Sequence, residues 1–393
     1  MRTKSKTRVS ASGKTKKKNP ATKQLTYFVK SKYYHETYIN NIFKSRQGNW
    51  REIRDTELQS VMNSNQRIDY IYLDGSAYYD KEYFGLLSNV KNMINDKKQI
   101  VTLKHNLIRE LSKTPDTKKY IMPQIELDML DVSLKAKSST ILLASIKSKL
   151  SSGKKPYIFK PVTGFAGSGI ITVTTYSALY KYILQIISKY RKGWGITKMP
   201  GTERNRMWVL QEYIENPLLS IQQDGKAYKF HIRHYFIYVP NGISYFTKHG
   251  EIAIARSPYI DGEWNNKRVH DTHFYGRDGD KWPDALNINP AILTDIDSQF
   301  VELYKFIHDI LKKEHVGCYT ESLSCFELFG VDLMITDKYQ VKIIELNSKT
   351  GLASNLTEIS RNLFEGCLDL IVIPGLLKSK PPNPADYGFI PLA

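Results

Sequence analysis

From Tyr27 onward, apolar and polar residues recur along the chain with two distinct periods, and the two alternate without a fixed rhythm. A period of two marks strands, because successive side chains point to opposite faces. "KAYKFHIRHYFIYVP" predicts a long strand with Phe230 and Ile232 on a buried face and Lys229, His231 and Arg233 together on the other. "RIDYIYLDG" (67–75) predicts a strand ending at a turn, and "MWVLQEYIENPLL" a strand running into a connector. "GISYFTKHGEIAIARSPY" reads as a hairpin, and "KPYIFKPVTGFAGSGIITVTT" (155–175) as strand, glycine-rich loop, strand. A period near 3.6 marks helices. "SALYKYILQIISKY" (177–190) places Leu179, Ile183, Ile186 and Ile187 on one face, and "SQFVELYKFIHDILKK" predicts a long helix. "QIVTLKHNLIRELSK" reads as a strand that continues into a helix presenting Leu107, Ile108 and Leu111. Strands and helices mixed in this way predict α+β or α/β lobes built on antiparallel sheets. The proline-rich stretch 378–393 reads as a tail or a strapped surface segment.

One stretch breaks the simple pattern. "FELFGVDLMITDKYQVKIIELNSKTGL" (Phe326–Leu352) is strongly apolar yet carries Asp332, Glu345 and Asn347 inside it. A hairpin with a two-residue turn at Lys338-Tyr339 sets Asp332 opposite Glu345 and projects Asp332, Glu345 and Asn347 from one face. Val331, Leu333, Ile344 and Leu346 then form the core face. Two carboxylates held opposite each other repel unless a cation sits between them. With an Asn carbonyl beside them they form an all-oxygen set suited to Mg²⁺. Taken alone, the hairpin fits an ordinary solvated sheet face equally well.

The loop in "IFKPVTGFAGSGI" offers Gly164, Gly167 and Gly169 between two apolar strands, so backbone N–H groups can approach phosphates closely. It lacks the Gly-Lys-Ser/Thr of a P-loop, and it leads into a strand, unlike a dinucleotide fingerprint. Strand, glycine loop, strand is the geometry of a flap over a triphosphate, and Lys160 just before it reaches phosphate oxygens as a point charge. A tight hairpin needing glycines for its turn is the simpler reading of the loop by itself. On the basic strand, Arg233 and the nearby Arg256 suit a clamp on a carboxylate or phosphoryl group, while a solvated basic face is the competing reading. His231, His270 and His273 have no helical i, i+4 spacing and no accompanying carboxylate motif, which argues against a metal cluster.

Composition adds charge and compartment. The chain has 393 residues, 41% of them hydrophobic, which supports a core divided over two or three lobes. A net charge of +18 favours acidic partners: nucleic acid, anionic membrane, nucleotides or acidic protein tails. Residues 1–20 hold Lys and Arg without any acid and without hydrophobic periodicity. They predict a disordered tail that is either a nuclear-targeting or polyanion-binding arm or simply solvated. Cys318, Cys325 and Cys367 are too few and too clustered for a disulfide framework, and a reducing compartment fits best. The basic N-terminus has no apolar run behind it, so no signal peptide is expected. The apolar segment "CLDLIVIPGLL" is too short to span a bilayer.

In their fixed order these motifs resemble the tubulin–tyrosine ligase-like family of ATP-grasp ligases, over roughly residues 65–355. "LKHNLIREL" is similar to the family's lysine-plus-helix segment, and "YIFKPVTGFAGSGI" to its Lys-Pro and glycine-loop motif. "VLQEYIENPLL" is similar to its Gln-x-Tyr-Ile-x-x-Pro-Leu-Leu linker, and "KFHIRHYFIY" to Lys-Phe-Asp-Ile-Arg except at His231. "ARSPY" resembles its Arg followed by Pro-Tyr, and "CFELFGVDLMI" with "IIELN" its two metal-binding strands. The resemblance implies that Lys104 and Lys160 contact the ATP phosphates and that Gly164, Gly167 and Gly169 cover them. Gln211, Glu212 and Ile214 would line the adenine pocket, and Asp332, Glu345 and Asn347 would hold Mg²⁺. Lys229, Arg233 and Arg256 would hold the reacting carboxylate and its acyl-phosphate. Two departures stand out: His231 replaces an Asp, and "THFYG" (272–276) keeps the His of the family's His-Leu-Thr-Asn segment while losing Thr and Asn at Tyr275 and Gly276. Lys349-Thr350 stand where the family has Pro after Asn.

The resemblance implies an ATP-grasp fold, α+β or α/β, with antiparallel sheets sandwiching the nucleotide and a small N-terminal lobe. The expected division is a disordered basic tail (1–24), an N-terminal lobe (25–103), a central ATP-grasp lobe (104–210), a C-terminal ATP-grasp lobe (211–377) and a tail (378–393). The expected function is an ATP- and Mg²⁺-dependent carboxylate–amine ligase that adds tyrosine, glutamate or glycine to a protein, with an acidic acceptor such as a tubulin tail. One alternative is a ligase acting on a non-tubulin protein or peptide. Another is a basic nucleic-acid or microtubule binding module with a ligase-derived fold. A cytoplasmic monomer is expected, with no membrane association and with nuclear targeting and nucleic-acid binding open through the tail.

Overall fold

The computed structural model describes residues 24–31, 35–46, 50–73, 83, 85–151, 155–162, 169–194, 206–264, 266–270, 272, 281–284, 286, 288–348 and 358–392. The basic tail 1–20 lies outside the described residues.

Three sheets organise the chain. The first is parallel, in the order β14 (Ser322–Cys325), β4 (Ser88–Lys91), β3 (Ile68–Leu73), β1 (Leu25–Lys30), β2 (Trp50–Glu52). It departs from the expectation of antiparallel sheets throughout. Its central β3 is buried along its whole length, as strands covered on both faces are. The buried Asp69 carboxylate accepts from the Thr26 N–H at 2.8 Å and so locks β3 to β1. The edge strand β14 comes from far along the sequence and ties this sheet to the rest of the fold.

The second sheet is antiparallel: β5 (Gln124–Asp128), β8 (Met207–Glu212), β6 (Tyr157–Pro161), β7 (Ile171–Val173). The helix Tyr176–Trp194 buries Leu179, Ile183, Ile186 and Ile187 against it, the face that the 3.6-residue period predicted.

The third sheet carries the long β10 (Ala227–Tyr238) at its centre. One edge of β10 pairs with β15 (Glu327–Ile335), which pairs in turn with β16 (Val341–Asn347). The other edge holds β11 (Ser244–Thr247) and β12 (Gly250–Ile254) end to end. The stretch 242–259 is therefore not a hairpin within itself: both halves pair with β10, which already supplies the neighbouring strand. β9 (Leu219–Ile221), β13 (Lys281–Trp282) and β17 (Phe389–Leu392) complete the sheet. β17 belongs to the proline-rich stretch read as a tail or strap. It pairs with β11 and buries Phe389 and Leu392.

The even-numbered residues Phe230, Ile232, Phe236 and Tyr238 of β10 face the largest core. The helix Pro290–Lys313 covers that face with Phe300, Leu303, Tyr304 and Ile307. Its start is fixed by Pro290 and by the Asn289 side chain, which accepts from the Ala291 N–H at 2.9 Å. The stretch beginning at Gln99 is helical from the outset, not a strand: a short helix (Gln99–Thr102) is followed by a second (Lys104–Ser112). Val101, Leu107, Ile108 and Leu111 lock both helices into the same core. Cys318 and Cys325 are joined in one short-range disulfide, with Cα atoms 5.4 Å apart, where the sequence pattern gave no framework. Cys367 is a buried thiol whose pKa burial pushes up. Among the described residues no helix is long and apolar enough to cross a membrane.

Candidate nucleotide and ligation site

The odd-numbered face of β10 carries the site. Arg233 lies opposite Asp332 of β15 on one side and Glu251 of β12 on the other. Asp332 in turn lies opposite Glu345 of β16, and Glu251 opposite Lys281 of β13. Glu345, Asp332, Arg233, Glu251 and Lys281 therefore form one row across five strands, all on one face of the sheet. Lys104 closes one end of the row, its Nζ 3.0 Å from Glu345 Oε2, and Glu358 pairs with Lys281 at the other.

The pairing of Asp332 with Glu345 matches the expectation, but the route to it does not. The turn is a three-residue loop, Asp337-Lys338-Tyr339, closed by the Thr336 N–H bonding the Gln340 carbonyl, with Tyr339 in the left-handed region at φ 58°. Beside that turn Ile335 pairs with Val341 and Leu333 with Ile343, a register that would bring Ile344 opposite Asp332. A bulge skips Ile344 and brings Glu345 into its place. The core face is accordingly Val341, Ile343 and Leu346, and Ile344 is only half-buried.

Arg233 holds Asp332 with two bonds, Nε to Oδ1 and a guanidinium NH₂ to Oδ2 at 2.9 Å. Asn347 Nδ2 is 2.9 Å from Glu345 Oε1 and 3.5 Å from Asp332 Oδ2. Burial alone would raise the Glu345 carboxyl. The Lys104 ammonium, the Asn347 amide and the Lys160 charge outweigh it and hold the group at about 2. Lys160 reaches the same point from the second sheet: it is buried and donates to Gln211 Oε1 at 2.9 Å. Burial, reinforced by the Lys104 charge and opposed by Glu345, lowers its pKa to about 8. The site thus lies where two antiparallel sheets face each other.

The glycine loop is described only at its end. Gly164 and Gly167 lie outside the described residues. Gly169 has φ +76°, and its carbonyl accepts from the Tyr182 hydroxyl at 3.3 Å. Glu212 and Ile214 are half-buried beside Gln211 where β8 enters its connector. Arg256 is exposed, one residue beyond Ala255, whose N–H bonds the Lys229 carbonyl.

The sequence pattern did not single out the side chains that organise Lys229. The Lys229 ammonium is buried, bonds the Tyr213 hydroxyl and lies 4.1 Å from the Tyr213 ring centroid. Burial lowers its pKa to about 7. The Tyr213 hydroxyl is 2.6 Å from His270 Nδ1, and His270 Nε2 is 2.9 Å from the Glu263 carbonyl. His231 Nδ1 is 2.7 Å from Thr272 Oγ1, with Nε2 3.7 Å from Asp332 Oδ1. His231 and His270 thus engage different partners, and His273 lies outside the described residues. His270 approaches Lys229 through Tyr213, Thr272 holds His231 directly, and residues 273–276 of the altered segment lie outside the described residues.

The family implies ATP and Mg²⁺. Asp332, Glu345 and Asn347 fit the cation: turning the Asn347 amide over exchanges Nδ2 for Oδ1 and completes an oxygen-only donor set. Both carboxylates are already matched by cationic side chains of the chain itself.

The model of the tubulin-tyrosine ligase family matches residues 86–272 and 300–381. A probable tubulin–tyrosine ligase of Schizosaccharomyces pombe is 27% identical over 181 residues, 43% of each chain. Tubulin glycylase 3A of Drosophila melanogaster is 24% identical over 237 residues, 55% of this chain and 22% of that protein. The chain spans less than half the length of these curated relatives. The C-terminal domain of K. lactis Pby1, an ATP-grasp enzyme interacting with the mRNA decapping enzyme Dcp2, superposes with a TM-score of 0.58. It shares 18% identity over 94% of this chain and 99% of that one, a likeness of fold. The chain has the ATP-grasp fold and belongs to the tubulin–tyrosine ligase family.

Proposed function

We propose that the chain is an ATP-dependent carboxylate–amine ligase that joins an amino acid to a protein through an acyl-phosphate. The observation that carries this reading is the joint placement of Lys104, Lys160, Asp332, Glu345 and Asn347 between two antiparallel sheets, with Arg233 next in the row.

Lys104 and Lys160 hold the phosphates of ATP, with the loop of Gly164, Gly167 and Gly169 over them. Gln211, Glu212 and Ile214 line the adenine pocket. Asp332, Glu345 and Asn347 hold Mg²⁺, which when bound neutralises charge on the triphosphate. Lys229, Arg233 and Arg256 hold the reacting carboxylate and the acyl-phosphate made from it. A carboxylate oxygen attacks the γ-phosphorus and ADP leaves. An amine nitrogen then attacks the acyl carbon and phosphate leaves with the C–O electron pair. The side chains contribute position and charge, and no protein nucleophile is needed.

The acceptor we propose is an acidic protein segment. Residues 132–202, which include two strands of the second sheet and the helix Tyr176–Trp194, contain twelve Lys or Arg and no Asp or Glu. Such a run of one charge sign raises the encounter rate with an acidic chain and is screened by salt.

The test is ADP release from Mg²⁺-ATP with each of the twenty amino acids, with and without tubulin, against Glu345→Gln. Release that depends on one amino acid and on tubulin supports the reading and names the donor. Release without a tubulin requirement keeps the ligase and changes the acceptor. Absence of release throughout, together with salt-sensitive binding to nucleic acid or microtubules, replaces it with a binding module.

A further inference from the structure

The disulfide Cys318–Cys325 lies beside the segment that delivers Lys104. It closes a loop whose two ends grip that segment at two points. At one end Cys325 pairs with Lys91 of β4, and the Phe326 N–H donates to the Lys91 carbonyl at 3.1 Å. At the other end Cys318 pairs with Ile94, and the Gly317 carbonyl accepts from the Asn95 N–H at 2.7 Å. The Tyr319 hydroxyl adds a bond to Asp96 Oδ1 at 3.1 Å. From Asp96 the chain runs through the turn Asp96–Lys98 and the helix Gln99–Thr102 to Lys104. From Cys325 it enters β15, where Glu327 accepts from Lys98 and Asp332 joins the site.

We propose that this disulfide is a redox switch. Closed, it fastens residues 91–104 to β14 and β15; open, it lets them loosen, so that Lys104 is held less firmly at the phosphate end of the site. The effect on ATP rests on the ligase reading above. The bond is not what builds the fold. Cys325 belongs to the largest core, among side chains of β10, β15, β16 and the helix Pro290–Lys313, and that apolar support persists when the bond opens. The two sulfurs also differ in access. Cys325 is 1% exposed, whereas Cys318 is half-buried and two residues from the exposed Thr320. An outside thiolate therefore reaches Cys318 and expels Cys325.

The step balances with a dithiol as co-reactant. One thiolate of the dithiol attacks Cys318 Sγ. The Cys318–Cys325 bond breaks, and its electron pair leaves on Cys325 Sγ, which takes a proton from water. The second thiolate of the dithiol then attacks its partner sulfur in the mixed disulfide, and Cys318 leaves as a thiolate and is protonated. The protein gains two electrons and two protons, and the dithiol becomes a cyclic disulfide. Exchange in the reverse direction with a disulfide closes the bond again.

The experiment equilibrates the full chain at pH 7 with reduced or with oxidised dithiothreitol. Alkylation in denaturant followed by mass measurement should find three free thiols in the reduced form and only Cys367 in the oxidised form. Hydrogen exchange of peptides spanning 91–104 should be about tenfold or more faster in the reduced form, within the roughly sixtyfold that loop-closure entropy allows for a loop of this length. Exchange in β6 and β8 should be the same in both forms, which separates a local switch from damaged folding. ATP should bind the reduced form about fivefold more weakly, a modest coupling, because Val101, Leu107, Ile108 and Leu111 hold the Lys104 helix independently. Cys318→Ser should behave as reduced wild type in either buffer, and Cys367→Ala should respond as wild type does. A bond that fails to form in oxidised dithiothreitol, or equal exchange in the two forms, overturns the switch. So does faster exchange in the reduced form with ATP bound equally by both. Faster exchange confined to 91–104, with ATP bound by neither form, supports the switch and sinks the ligase reading alone.

Discussion

The Lys104 ammonium lies 3.0 Å from Glu345 Oε2, bridging the first turn of the helix Lys104–Ser112 and the edge strand β16. Both side chains are largely buried, and the carboxylate is held ionised at about 2 by Lys104, Asn347 and Lys160 against the burial that would raise it. A group kept charged in a desolvated cleft between two sheets is placed to meet another cation.

Glu345→Gln removes that charge at nearly constant volume. We expect ATP turnover to fall by about 10² or more, the scale seen when one preorganised electrostatic group is lost. The fold should be retained, because the amide keeps its contact with Asn347 and its oxygen still accepts from the Lys104 ammonium. Steady-state ADP release and the far-ultraviolet dichroism spectrum measure the two halves. Full-rate turnover in a folded variant removes Glu345 from the site.

Stability and nucleotide affinity should respond to pH with opposite signs. Lys160 is lowered to about 8 in the folded protein against 10.5 in its ordinary state. A lowered lysine costs the folded state while charged, so unfolding takes up protons between about 8 and 10.5, and stability rises with pH across that window. A shift of this size corresponds to about 3 kcal/mol at most. Lys229, lowered to about 7, adds to the same trend from a lower pH. ATP affinity should instead fall up to tenfold per pH unit above about 8, as Lys160 loses the charge that faces phosphate. Denaturant titrations and ATP-binding isotherms from pH 7 to 10, on wild type and Lys160→Gln, test both. A variant with the wild-type slopes contradicts the assignment.

Part of this arrangement is legible in the amino-acid sequence alone. The order of the motifs identifies the family, and the alternation in β10 correctly groups Lys229, His231 and Arg233. The pairing of Asp332 with Glu345 is legible only by compensation, since a two-residue turn and an unbroken register are both wrong and their errors cancel at the bulge beside Ile344. A single sequence does not announce a bulge, because the skipped residue is apolar like its neighbours. Glu251 and Lys281 are invisible for another reason: their meaning comes from registers across β10, β12 and β13. The parallel first sheet escapes the sequence because β14 arrives from residues 322–325, which periodicity along the chain cannot assign to β4. The helix at Gln99 is hidden because a run of four apolar-rich residues looks alike in either period.

The C-terminal strand meets the helix Glu358–Cys367 in a close approach at Gly366. A Cβ at Gly366 would come within 2.2 Å of Phe389 Cε2, so Phe389 must move or β17 must lift from β11. Gly366→Ala should cost about 1–3 kcal/mol, typical of overpacking. Adding Phe389→Leu, which withdraws the ring edge, should recover part of it. A double-mutant cycle by urea denaturation measures the coupling, and strictly additive costs would show that the contact carries none.

A buried ion pair should anchor the segment that delivers Lys104. Glu327 Oε2 accepts from Lys98 Nζ at 3.0 Å and from the Ile94 N–H at 3.1 Å. The two side chains are only 6% and 1% exposed. Burial raises the Glu327 carboxyl to about 7, although Lys98 and the Ile94 N–H pull it down, and burial lowers Lys98. A pair in this state is costly to desolvate and costlier to halve. Glu327→Leu alone strands Lys98 and should cost about 3–5 kcal/mol, whereas Glu327→Gln with Lys98→Met, which keeps an acceptor for the Ile94 N–H, should lie within about 1 kcal/mol of wild type. The double variant should still weaken ATP binding, because the short turn at Asp96–Lys98 that precedes the Lys104 helix loses its fixed bond to β15. Urea denaturation and ATP titration of the three proteins separate the two effects. A double variant as tight for ATP as wild type would reduce the pair to a stability element with no part in placing Lys104.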